Sequence, residues 1–179
     1  GHVDALTNGS IGIIEKAGDL RIGTIQSNAG DVSLESAEGL LYDINGVDGV
    51  TAWVIGNSIG LRALNGGIGS GSNLLEIDSS HQAAGTVSAL ANDTIFLNET
   101  TGDLNLDGVA SVHADVSLHT LSGSILDAIV EAEDLADIQG RNIDLLVNGG
   151  GIGAVDNDVE IDGAGSHKQN NSLQINTSQ

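Results

Sequence analysis

The sequence predicts an all-β fold, a parallel β-helix (β-solenoid), from three observations. The chain repeats itself without a gap, it carries short apolar triplets of period two, and its apolar residues are almost all aliphatic. The repeat has a spacing of 84 residues: Gly56–Asp78 matches Gly140–Asp162, Gly18-Asp19-Leu20 matches Gly102-Asp103-Leu104, and Asp31-Val32-Ser33-Leu34 matches Asp115-Val116-Ser117-Leu118. From Asp4/Ser88 to Asp78/Asp162, 27 of 75 pairs are identical. Self-similarity at a fixed period is the signature of a repeat architecture. It divides the chain into a repeat region over 1–162, with units 1–84 and 85–162 onward, and a divergent polar tail or last partial coil over 163–179.

The strand elements follow from alternation. Ile11-x-Ile13, Leu20-x-Ile22, Val32-x-Leu34, Ile59-x-Leu61 and Leu75-x-Ile77 mark strands in the first unit. In the second they are Ile95-x-Leu97, Leu104-x-Leu106, Val116-x-Leu118, Ile143-x-Leu145 and Val159-x-Ile161, with Leu173-x-Ile175 in the tail. Alternate residues of a strand share a face, so each triplet offers one apolar face. Gly, Asn, Asp and Ser between the triplets supply the turns. Leu126–Ile138 has helix-like composition, but the equivalent Leu41–Gly49 contains Gly46 and Gly49, so both read as loop-bearing coil. If four coils share one repeat, each holds roughly 21 residues and a repeat advances roughly 19 Å. A β-propeller, which also uses short strands and turns, is the alternative.

Composition narrows the function. The residues Trp53, Tyr42 and Phe96 are the sole aromatics, which suits a narrow core of stacked aliphatic side chains. Zero cysteines exclude disulfides, thiolate metal sites and cysteine nucleophiles. The net charge of −20 repels nucleic acid and anionic lipid and attracts divalent cations or basic partners. No apolar run is long enough to span a membrane as a helix.

The candidate sites are mostly structural. Asp19, Asp31, Asp103 and Asp115 stand just before strand triplets, where a carboxylate can accept backbone N–H bonds and cap the strand entry. Gly66, Gly67, Gly150 and Gly151 read as turns where adjacent coils approach closely; no Lys-Ser/Thr follows them, which excludes a phosphate loop. Asp156, Asp158 and Asp162 form the densest acidic cluster and are the calcium candidates, since hard cations favour carboxylates. The five histidines are scattered, and the five basic residues are too far apart to hold an anionic substrate. Nothing points to an enzyme or to another cofactor.

The same strings (Gly30-Asp31-Val32-Ser33-Leu34, Thr101-Gly102-Asp103-Leu104-Asn105-Leu106, Gly123-Ser124-Ile125-Leu126-Asp127-Ala128 and the two Gly-Gly-Ile-Gly…Glu-Ile-Asp blocks) resemble repeats of giant secreted bacterial adhesins of the filamentous-haemagglutinin kind. The resemblance covers the chain to about Asp162. It implies a right-handed β-helix, export to the medium or the cell surface, and a stalk role holding binding modules away from the cell. The expected partners are neighbouring repeats of the same chain, with a host or matrix surface reached through other domains, and a monomer in dilute solution. A carbohydrate-binding or polysaccharide-degrading β-helix domain is the alternative.

Overall fold

Each apolar triplet becomes a strand because its aliphatic residues turn inward together while polar or small residues face out. The computed structural model describes residues 1–81, 85–129, 136–163 and, for the backbone alone, 172–178. The first strands are β1 Val3–Thr7, β2 Ile11–Glu15, β3 Leu20–Ser27, β4 Val32–Ser36, β5 Leu41–Asp43 and β6 Val54–Ile55. Then come β7 Ile59–Ala63, β8 Leu75–Asp78, β9 Val87–Ala91, β10 Ile95–Glu99 and β11 Leu104–Ser111. The last are β12 Val116–Asp127, β13 Ile138–Gln139, β14 Asn142–Ile152, β15 Ile161–Asp162 and β16 Ser172–Ser178. All the predicted triplets lie inside these strands except Val159-x-Ile161, of which only Ile161 does.

Every ladder between these strands is parallel. Parallel neighbours cannot be joined by a tight hairpin, so the chain must travel round the core before it pairs again. All sixteen strands belong to one sheet, whose main path is β1-β3-β6-β8-β10-β12-β11-β9-β7-β4-β2. Strand β12 makes the bend: Val116–Thr120 pair with β10, while Ile125–Asp127 pair with β11. The path runs out along one side and returns along another, so the sheet rolls into a nearly closed, all-parallel barrel wall. Inside is a single aliphatic core, with Leu20, Ile22, Leu41, Ile68, Leu75, Ile95, Leu104 and Leu118 at 2 % exposure or less. Inward positions stack in register, as in Val32 on Ile59 on Val87 and Leu34 on Leu61 on Ala89.

Three buried serines sit at strand ends and are satisfied there. Ser27 donates to the Gly9 carbonyl at 2.8 Å and accepts the Gly30 N–H at 2.8 Å. Ser36 and Ser111 repeat the device, each bonding a carbonyl of the preceding pass and an N–H three residues on. These hydroxyls close the corners without leaving a buried backbone group unpaired.

This architecture corrects the predicted right-handed β-helix of 84-residue units, together with its propeller alternative. A propeller needs antiparallel blades, and the ladders here are parallel. The sequence repeat, for its part, is no structural unit. Val32 belongs to the row Ile11–Val32–Ile59–Val87, whereas its copy Val116 belongs to the row Ile68–Ile95–Val116–Ile143. A step of one repeat therefore ends on a different side of the wall, and four equal coils per repeat do not exist. Both copies share one sheet and one core, so each is the other's packing partner within a single domain. The expectation that separate units lie end to end as partners is corrected on the same ground.

Of the tail 163–179, residues 164–171 and 179 lie outside the described residues, and β16 pairs with β14. The predicted coil Leu126–Ile138 joins the end of β12 to β13, and its residues 130–135 also lie outside them. No helix among the described residues is long and apolar enough to cross a membrane.

Candidate divalent-cation centre

Three carboxylates converge where the second copy of the repeat turns. Asp127 ends β12, Asp137 immediately precedes β13, and Glu160 immediately precedes β15. One carboxylate oxygen from each lies within 4.8 Å of the other two. Backbone pairing sets this up: Ile138 is in register with Ile161, and the Ile138 N–H donates to the Glu160 carbonyl at 3.1 Å. Asp137 is 8 % exposed and accepts the Glu160 N–H at 3.0 Å. Asp127 accepts the Ile129 N–H at 2.7 Å, and its carbonyl accepts the Asn157 amide at 3.0 Å. The ion pairs found among the described residues (His2–Asp4, Arg62–Glu35, His119–Asp144 and Arg141–Asp115) involve none of the three. Burial, with Asp127 and Glu160 adding like charge, pushes Asp137 up to about 6. A close trio of carboxylates without a cationic side chain among them is able to chelate a divalent cation.

Two glutamates are buried more deeply. Glu76, on the outer face of β8, lies under the segment that follows β5, and its carboxylate accepts the Gly49 N–H. Burial, with Asp43 and Asp48 nearby, raises it to about 7. Glu99, at the end of β10, is fully buried and accepts the Ser79 hydroxyl at 2.6 Å and the Ser79 N–H at 3.1 Å. Burial overrides those bonds and raises it to about 8.

The calcium candidates read from sequence, Asp156, Asp158 and Asp162, are all exposed and lie beside Glu160 in the chain. The turn aspartates bond across the wall. Asp19 accepts the Leu40 N–H at 2.9 Å, Asp31 the Ser58 N–H at 3.1 Å and Asp103 the Ser124 N–H at 2.7 Å. Asp115 instead takes Arg141 Nε and Asn142 Nδ2, both at 2.9 Å. Gly66 faces the Gly39 carbonyl, Gly67 faces Thr94 and Gly150 faces the Gly123 carbonyl so closely that a Cβ would collide, whereas Gly151 borders open space. Sequence reasoning missed Asp127, Asp137 and Glu160. The signal available was that Asp127, Asn157 and Glu160 are polar identities with Asp43, Asn73 and Glu76 that no turn role requires. Asp137 has no such signal, since its counterpart is Trp53.

A shallow groove of about 450 Å³ crosses the outer face, lined by small and apolar residues such as Ser33, Gly60, Ser88, Leu90 and Gly108. It gathers no carboxylates; its one cationic group, Arg62, lies 3.8 Å from Glu35.

No family model, curated protein or solved structure matches the chain. The resemblance to filamentous-haemagglutinin adhesins is corrected accordingly, since no comparison supports it and the 84-residue unit on which it rested is not a stackable one. The stalk role falls for the same reason: extension by repetition needs a module that returns to the same face, and this one does not.

Proposed function

We propose that this chain is a non-catalytic, calcium-binding β-barrel module. The observation that carries it is the convergence of Asp127, Asp137 and Glu160 to within 4.8 Å. A hard cation of Ca²⁺ size prefers carboxylate and carbonyl oxygen in a flexible shell, and the charge of −20 raises its concentration near the protein. Asp127 ends β12 and Asp137 immediately precedes β13, so an ion there ties these two strand ends to the Glu160 pass. Burial of Glu76 and Glu99, the carboxylates most suited by charge state to proton transfer, keeps them from any substrate and supports a binding role. A site with a dissociation constant of about 10⁻⁴–10⁻³ M, as in extracellular modules, would be filled outside the cell, which suits a secreted or cell-surface protein.

Calorimetric titration and thermal melts of the full chain test the proposal. At calcium about 100-fold above its dissociation constant, stabilisation of about 2.7 kcal/mol is expected. Magnesium at matched ionic strength gives much less, and Asp137→Asn removes most of the difference. Equal responses to calcium, magnesium and monovalent salt would overturn the assignment and leave only charge screening.

A further inference from the structure

A second cluster of buried polar groups lies under the segment that follows β5. Asp43 ends β5, Glu76 lies on β8 and Asn98 on β10, where Glu76 and Asn98 are register partners. Register partners on adjacent strands stand about 5 Å apart on one face. Both reach the overlying segment at Gly49: Glu76 accepts its N–H, and Asn98 Nδ2 donates to its carbonyl at 3.4 Å. Asn73 Nδ2 donates to Asp43 Oδ2 at 2.9 Å, and Asp48 Oδ1 accepts the Leu74 N–H at 2.6 Å.

Those bonds leave three buried oxygens with no donor: Asn73 Oδ1, Glu76 Oε2 and Asn98 Oδ1. Their residues are 6 %, 0 % and 4 % exposed. An unpartnered buried acceptor costs about 1–3 kcal/mol, and three together are rarely left so. Turning the amides does not help. A flipped Asn98 would set its oxygen against the Gly49 carbonyl, and a flipped Asn73 would set its oxygen against the Asp43 carboxylate. The amides are therefore fixed with these oxygens unbonded, and the surplus of buried acceptors calls for a positive centre.

The repeat supplies an independent observation. Asp43, Asn73 and Glu76 are the 84-residue counterparts of Asp127, Asn157 and Glu160. The third carboxylate is not copied: Asp48 corresponds to Ala132, and Asp137 corresponds to Trp53. The first copy thus keeps two of the three carboxylates, Asp43 and Glu76, while Asp48 stands on the overlying segment and bonds the Leu74 N–H.

We propose that Asp43, Asp48, Asn73, Glu76 and Asn98 form a second divalent-cation site of calcium type. The parallel between copies leans on the reading of the Asp127 pocket, but the orphaned oxygens stand without it. Trp53, the single tryptophan, donates its backbone N–H to the Glu76 carbonyl at 2.9 Å and so stands beside this site. The test is tryptophan-sensitised terbium luminescence on the full chain, with calcium as competitor, beside calorimetric stoichiometry. Wild type is expected to show sensitised emission displaced by calcium, and two calcium ions bound.

Glu76→Gln is expected to lose the emission and one ion while Glu160→Gln keeps the emission and loses the other. Asp48→Asn, at an exposed position that still accepts the Leu74 N–H, weakens terbium binding at least about tenfold and serves if Glu76→Gln does not fold. Absence of sensitised emission in wild type, or emission unchanged by Asp48→Asn and Glu76→Gln, overturns the second site and leaves a proton on Glu76 to serve the surplus acceptors. Emission lost in Glu76→Gln with no calcium lost in Glu160→Gln sustains this inference while defeating the Asp127 reading.

Discussion

Glu99 makes the protein's stability fall as pH rises, and Glu99→Gln removes that dependence. The carboxyl is fully buried, and burial raises it from 4.5 to about 8 even though Ser79 donates both its hydroxyl and its N–H to it. The raised value means that the folded chain holds this proton more tightly than the unfolded chain. The associated stability is complete below about 4.5 and is lost as pH climbs through about 8. Each tenfold difference in proton affinity between the two states is worth about 1.4 kcal/mol. Between about pH 5.5 and about pH 7.5 this residue alone removes roughly 2–3 kcal/mol, a large share of a typical domain's stability.

Glutamine keeps the shape, accepts the Ser79 N–H and cannot ionise. The assay is urea unfolding at both pH values in the presence of a chelator. The advantage of Glu99→Gln over wild type should grow by roughly 2–3 kcal/mol between about pH 5.5 and about pH 7.5. Glu15→Gln is the control, since Glu15 is the sequence copy of Glu99 yet remains partly exposed. Parallel pH dependence in wild type and Glu99→Gln would refute the reasoning.

The other predictions concern packing and the wall's cross-bonds. Gly150→Ala drives a Cβ into the Gly123 carbonyl and should cost about 2 kcal/mol or more, whereas Gly151→Ala meets nothing within 4 Å and should lie within about 0.5 kcal/mol of wild type in thermal melts. Asp103→Ala strips the 2.7 Å bond to the Ser124 N–H and should cost about 1–3 kcal/mol; Asp103→Asn, which can still accept that bond, should recover most of it. Ile68 is wholly buried between Leu41 and Ile95, so Ile68→Ala should cost about 2–5 kcal/mol by denaturant unfolding; a loss under about 1 kcal/mol would contradict the single stacked core.

The strands were legible in the sequence because alternation is a local property. Ile59-x-Leu61 or Val116-x-Leu118 presents one apolar face whatever surrounds it, and nearly all such triplets lie in strands. The close approaches at Gly66, Gly67 and Gly150 were legible for a similar reason, since a missing Cβ is a local allowance for backbone contact. The closing of the wall and the placing of the copies were not. They depend on how many residues each pass takes, and Leu20 meets Leu41 while Val32 meets Ile59, so passes differ in length and an 84-residue step lands on another side.

The cation pocket was illegible for the same reason. Asp127, Asp137 and Glu160 meet only because β12, β13 and β15 return to one place, while Asp156, Asp158 and Asp162, close together in sequence, are exposed to solvent. Glu15 and Glu99 show the division most sharply. They are the same residue in the same repeat position, yet β2 is an end of the sheet path with Ser36 on one side, while Glu99 lies between Ile77 and Thr120. Sequence determined the side chain and its strand; the number of strands stacked on either side decided how much water it keeps.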